Sequence, residues 1–138
     1  MAETLKPSLI RLENIFLNKI EYYCHPNFEP KGPQILMKTQ IQVDVKTNEN
    51  LRYITRCNIF INKDEQDSPF RITLEIDVVS SIEASEHVQQ LKEFAASGAV
   101  FNAIMYAREV IRDITSRSKY NQLIMPLFDI SQLSQQIK

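Results

Sequence analysis

The chain has 138 residues, enough for one domain and too few for two ordinary ones. Apolar residues make up 43% and charged residues 24%, the balance of a chain that folds around a core rather than one that stays disordered. With 16 basic against 17 acidic side chains there is no basic excess to neutralise phosphates, and no apolar run approaches the roughly 20 residues that span a bilayer.

These figures predict a single domain over residues 1–138 that takes no nucleic acid and does not insert into a membrane. Met1–Ser8 is polar, with neither an apolar h-region nor a cleavage site, so a cytoplasmic location is expected. Cys24 and Cys57 read as two free thiols of a reducing compartment, because the close Cys/His spacings of a zinc site are missing.

The first 81 residues read as strands. In Leu9–Tyr23 the apolar parity switches twice: Ile10 and Leu12 share one, Ile15 and Leu17 the other, and Ile20 and Tyr22 return to the first. A bulge produces such a switch, and so does apolar cover on both faces of a strand. Cys24–Pro33 contains Pro26, Pro30, Gly32 and Pro33 and predicts a crossover loop. Strict alternation then runs through Gln34–Lys46, Leu51–Asn62 and Phe70–Val78, each a strand with one dry face. Asn48–Asn50 is the expected turn between the first two, and the Lys63–Pro69 link ends in a Ser-Pro breaker. Three consecutive strands with short links make an antiparallel meander.

After Ile82 the period changes. Ser85 is expected to cap a short helix running to Ala96, with Gly98 as its stop. From Ala99 to about Arg117, Val100, Ile104, Ala107, Ile111 and Ile114 form one stripe of an amphipathic helix. Tyr120–Phe128, with Pro126, reads as extended loop, and Asp129 as the cap of a last short helix carrying Ile130, Leu133 and Ile137. The fold class is therefore α+β: a four-stranded antiparallel sheet, a meander after a crossover, followed by one long and one or two short helices on one face. By parity Ile15, Leu17, Ile54, Phe60 and Val79 face outward, which predicts burial between subunits.

Catalytic chemistry finds little support. There is no glycine-rich phosphate loop, no Gly-x-Ser-x-Gly and no His-Glu-x-x-His. No catalytic residue, metal ligand or cofactor is expected, and the chain does not read as an enzyme. His87 reads as solvated surface, Glu109 as a helical partner of Arg112, and Arg108 as a bond to a neighbouring strand or subunit. Tyr106 lies off the apolar stripe, and Phe28 either plugs the Pro-rich crossover or walls a groove.

Residues 105–117, Met-Tyr-Ala-Arg-Glu-Val-Ile-Arg-Asp-Ile-Thr-Ser-Arg, resemble the signature of the SecB export-chaperone family, where a Tyr-Ala-Arg-Glu-Val-Ile helix runs into a Ser-Arg-Gly turn. The resemblance continues through Gln122-Leu123 to Ile130 and Leu133, and Ile10–Phe16 followed by Ile20 is similar to the family's first strand. Ser118 stands at the family's Gly, Tyr120-Asn121 at its Phe-Pro, and Lys19 at an acidic position that helps bind the zinc-bearing tail of the SecA motor. The resemblance implies an ATP-independent holdase that keeps unfolded or preprotein clients export- or folding-competent and assembles as a dimer of dimers. It implies a client groove lined by Phe28 and Tyr106, with Ile130 and Leu133 on the opposite wall. Lys19, and the lack of an acidic tail after Lys138, argue against delivery to SecA. Similar proteins include chaperones dedicated to the antitoxin of a toxin–antitoxin module, so an antitoxin is a second candidate client. A non-chaperone oligomeric scaffold of the same fold is a third reading.

Overall fold

Four strands, Arg11–Cys24 (β1), Thr39–Glu49 (β2), Arg52–Ile61 (β3) and Phe70–Ser81 (β4), pair into one antiparallel sheet of order β1-β4-β3-β2. The computed structural model describes residues 2–6, 8–29, 37–49, 51–65, 68–120 and 122–129. β2, β3 and β4 form the expected meander, and β1 lies beside β4, so the crossover leads from one edge of the sheet to the other. Met37 and Lys38 precede β2, and residues 34–36 lie outside the described residues. Pairing continues to Glu49 opposite Arg52, two residues into the stretch expected to turn.

Alternation sorts the side chains into two faces. Cys57, Ile59 and Ile61 of β3 and Phe70, Ile72, Leu74, Ile76 and Val78 of β4 are buried on the helix side. The other face carries Arg56, Asn58, Glu75 and Asp77, which are polar, together with half-buried Ile54, Phe60 and Val79.

β1 corrects the outward assignment of Ile15 and Leu17. Its ladder slips between Leu12 and Asn14 and again between Leu17 and Lys19, leaving Glu13 and Asn18 without partner positions. Each extra residue reverses the parity. Leu12, Ile15, Leu17, Ile20 and Tyr22 therefore stand opposite Ser80, Val78, Ile76, Leu74 and Ile72, all on the helix side. Ile15 and Leu17 pack against the core. The two bulged residues are used on polar links: Glu13 Oε2 meets Arg52 Nε at 2.9 Å, and the Asn18 side chain bonds to Asp77.

The helical part departs from expectation at its caps. A 3-10 turn, Ser85–His87, leads into α1 (Val88–Ala96) and α2 (Gly98–Ser116). Ser85 caps nothing, because the turn's cap position is Ala84 and no side chain bonds there. Gly98 opens α2 rather than ending α1, and the break falls at Ser97, with φ −137° and ψ −66°. Ser97 Oγ donates to Glu93 O at 2.8 Å, satisfying a terminal carbonyl of α1. A glycine is needed next because the Phe94 ring occupies the space a Cβ would take. Val100, Ile104, Ala107 and Ile111 of the predicted stripe are buried on the sheet, joined by Ala99 and Ala103, while Ile114 is half-buried. Thr55 Oγ1 donates to Ala95 O at 2.8 Å and ties α1 down.

On the polar face, Arg56 Nε and a terminal guanidinium nitrogen grip the two Asp77 oxygens at 2.9 and 3.0 Å. The Arg56 hydrogen bond, with Asn18 assisting against burial, holds the Asp77 carboxyl below its ordinary 3.8. A depressed carboxylate stabilises the fold above its unfolded pKa and loses that contribution as pH falls through its folded value. Asp77→Asn is expected to cost about 1.5–3 kcal/mol at neutral pH, the range for hydrogen bonds to a charged group. Urea titrations should show this cost shrinking below about pH 4, and an equal cost at pH 3 and pH 7 would contradict the role given to the charge.

Candidate functional site

Among the described residues no group of His, Cys, Asp and Glu side chains is placed to hold a metal. Cys57 is fully buried, and burial pushes its thiol up to about 12, which leaves it protonated and unreactive at neutral pH. Cys24 and Cys57 are both free thiols. His25 Nδ1 accepts from the Asn27 amide at 3.1 Å, and His87 pairs with Glu86 at 3.3 Å. No described helix is long and apolar enough to cross a membrane.

Apolar surface is the more informative feature. The segment after α2 lies along that helix, held at two points. The buried Thr115 hydroxyl donates to Ile111 O at 2.7 Å and accepts from the Leu123 amide at 2.8 Å. Glu109 pairs with Arg112 at 2.6 Å as the sequence predicts, whereas Arg108 Nε donates to Met125 O at 2.7 Å, a carbonyl of the segment after α2 rather than of a strand or another subunit. With its backbone anchored, the segment alternates: Leu123 and Met125 go into the core, and Ile124 stays 59% exposed. Leu127 and Phe128 follow at 71% and 39% exposure.

Between this segment and the sheet lies an apolar pocket of ≈ 160 Å³. Thr39 and Ile41 of β2 and Ile59 of β3 form its floor, Ile104 of α2 one wall, and Met125, Phe128 and Asp129 the other wall and rim. Thr39 lines it, with its hydroxyl oxygen packed out of contact with the pocket space and without a hydrogen-bond partner.

Tyr120 organises the β1 side of the sheet, across from the pocket. Its hydroxyl donates to His25 O and accepts from the Phe28 amide at 2.8 Å. Its ring stands edge-on to Phe28 at 6.3 Å and to Phe70 at 5.8 Å, and Phe70 stacks on Tyr22 at 6.2 Å. Burial first, and then the adjacent Cys24, pushes the Tyr22 phenol up to about 12, so that phenol stays neutral. Phe28 is thus half-buried in a fixed aromatic cluster. Tyr120→Phe keeps the ring and deletes both crossover bonds. It should cost about 1–3 kcal/mol in thermal melts and speed exchange of the Phe28 amide, whereas unchanged exchange would show that the crossover is held elsewhere.

Tyr106 is half-buried and packs against the core. It is two residues from both Ile104 and Arg108, about 200° around the helix, and so lies on the flank away from the pocket, beside half-buried Val110. Phe28 and Tyr106 are not among the described lining of the pocket, and Ile130, Leu133 and Ile137 lie outside the described residues, as does the last helix expected after Asp129. Sequence reading passed over Thr39, Met125, Phe128 and Tyr120. From sequence, residues 120–128 read as extended loop; the alternation of Leu123 and Met125 with exposed Ile124 is the signal that could have marked the anchored segment. Lys19 is exposed and pairs with Glu21 at 3.1 Å.

No protein-family model matches the chain, and no curated protein matches it in sequence. Similar solved structures include the following two. One is the SecB-like chaperone of Mycobacterium tuberculosis, solved in complex with a peptide from the HigA1 antitoxin. It is 17% identical with a TM-score of 0.65, over 87% of this chain and 88% of that one. The other is a protein of unknown function from Streptococcus agalactiae, 14% identical with a TM-score of 0.52, over 86% of this chain and 97% of that one. At such identities the likeness is one of architecture, and the architecture agrees with the strand and helix order read from the sequence: this chain has a SecB-like α+β fold.

Proposed function

We propose that this protein is a holdase, a non-enzymatic chaperone that binds unfolded or preprotein segments on apolar surface and releases them without nucleotide. The observation that carries the reading is the apolar pocket with exposed Ile124, Leu127 and Phe128 on the segment that walls it, on a SecB-like fold. An unfolded client offers loose apolar side chains and unpaired backbone, and many shallow subsites bind both with little demand for sequence. Each buried aliphatic side chain contributes on the order of 1 kcal/mol or more. Phe28, Tyr106, Ile130 and Leu133 are proposed as further client subsites, Phe28 and Tyr106 apart from the pocket.

The working unit is a homo-oligomer, a dimer of dimers, in the cytoplasm. Leu12, Ile20 and Tyr22 support this: they belong to the helix face of β1, an edge strand, yet remain 43%, 43% and 39% exposed. A monomer would leave this apolar edge in water, a second exposed apolar surface across the sheet from the pocket, which monomers rarely carry. SecA is not assigned as a partner. A dedicated antitoxin client is the second reading, favoured by the antitoxin peptide bound to the M. tuberculosis structure. A native pull-down of the full chain, with eluates sized by light scattering, separates the readings. Many unrelated unfolded proteins on an oligomer are expected; a single antitoxin supports the second reading, and an empty monomer contradicts both.

A further inference from the structure

The pocket has a chemistry more particular than general apolar capture. Its volume, ≈ 160 Å³, matches cavities of about 150 Å³ that take a single benzene ring. Ile41, Ile59, Ile104 and Met125 give it aliphatic walls suited to a ring. Two lining residues are polar: Asp129 at the rim, and Thr39, whose hydroxyl is buried and makes no hydrogen bond. An orphan of this kind costs stability in the empty protein and recovers that cost when a partner arrives. A χ1 step exchanges the threonine methyl and hydroxyl, and here it sacrifices no existing bond.

Placement adds a second argument. Thr39 opens β2, which is the edge of the sheet opposite β1, with no further strand paired to it among the described residues. An extended segment added along that edge sends alternate side chains to the helix face, next to Thr39 and Ile41. We propose that this pocket is a subsite for one tyrosine side chain of an extended client, its ring held by the aliphatic walls and its phenol bonded to Thr39. The proposal rests on the holdase reading and names the client chemistry it selects. A phenylalanine fills the same space but leaves the Thr39 hydroxyl orphaned, so Thr39 sets the specificity.

The test uses the full chain and three labelled extended peptides, identical except for Tyr, Phe or Leu at the centre, followed by fluorescence anisotropy. The Tyr peptide is expected to bind about three- to tenfold more tightly than the Phe peptide, the worth of one hydrogen bond. Thr39→Val should abolish that preference by weakening the Tyr peptide alone, and should raise the melting temperature of the free protein because the orphan is gone. Thr39→Ser should keep the preference. Equal binding of Tyr and Phe, or a preference that survives in Thr39→Val, overturns the subsite and leaves the holdase reading standing. If no peptide binds and a permanently unfolded client also fails to co-elute, both fall.

Discussion

Ile111→Asn is expected to leave the protein largely unfolded at 37 °C. Ile111 is fully buried at the centre of the α2 stripe, on the sheet formed by β3 and β4. The substitution removes aliphatic volume from a close-packed site and brings in an amide that the surrounding core cannot satisfy. Deleting a buried isoleucine costs about 2–5 kcal/mol, and the unpaired amide adds about 1–3 kcal/mol. A domain of ordinary stability holds only about 5–15 kcal/mol in reserve. Ile111→Val is the control, since it loses one methylene and should cost about 1 kcal/mol. Circular dichroism melts decide the matter. A cooperative transition for Ile111→Asn within a few degrees of the parent would mean that α2 is not seated on the sheet as described.

A different outcome is expected for Tyr106→Ser combined with Phe128→Ser. Phe128 is 39% exposed at the pocket rim, and Tyr106 is half-buried on the far flank of α2. Neither change creates a deep cavity, so the melt should fall by only a few degrees. Client binding loses two separate apolar subsites, each worth about 1.5–3 kcal/mol when fully buried. Sites that do not touch add their costs, so suppression of client aggregation should require at least about tenfold more protein. A single change is a weaker test, because the remaining subsites hide it through avidity. Undiminished suppression by a folded double variant would place the groove elsewhere.

The strands were the most legible part of this fold, and the reason is physical. In β2, β3 and β4 a single dry face imposes period two on the side chains, and that pattern is visible without coordinates. β1 was legible only as an anomaly. Its parity switches fitted either a bulge or two-sided cover; that the slip at Glu13 returns Ile15 and Leu17 to the core side, and the slip at Asn18 keeps Ile20 and Tyr22 there, depends on a ladder with β4 that no local pattern states. The stripe of α2 was equally plain. The break before it was not, because Gly98 answers to the Phe94 ring and the interruption is made by Ser97, an unremarkable residue in sequence.

The candidate site was far less accessible. Thr39 is an ordinary strand residue by propensity, and its distinction is a missing partner, which only packing reveals. The Tyr120 latch joins a side chain to backbone groups of His25 and Phe28 more than ninety positions away, and backbone groups carry no sequence signature. The pocket gathers residues from two strands, α2 and the anchored segment, so no single stretch could announce it.

The most direct measurement is aggregation of a chemically denatured client, diluted into buffer with the full-length protein and no nucleotide, and followed by light scattering. The account predicts suppression that rises to completion near stoichiometric oligomer, is indifferent to ATP, and is matched by co-elution of the client in an unfolded state. Scattering that proceeds as though the protein were absent, at concentrations where it is folded and assembled, would contradict the account.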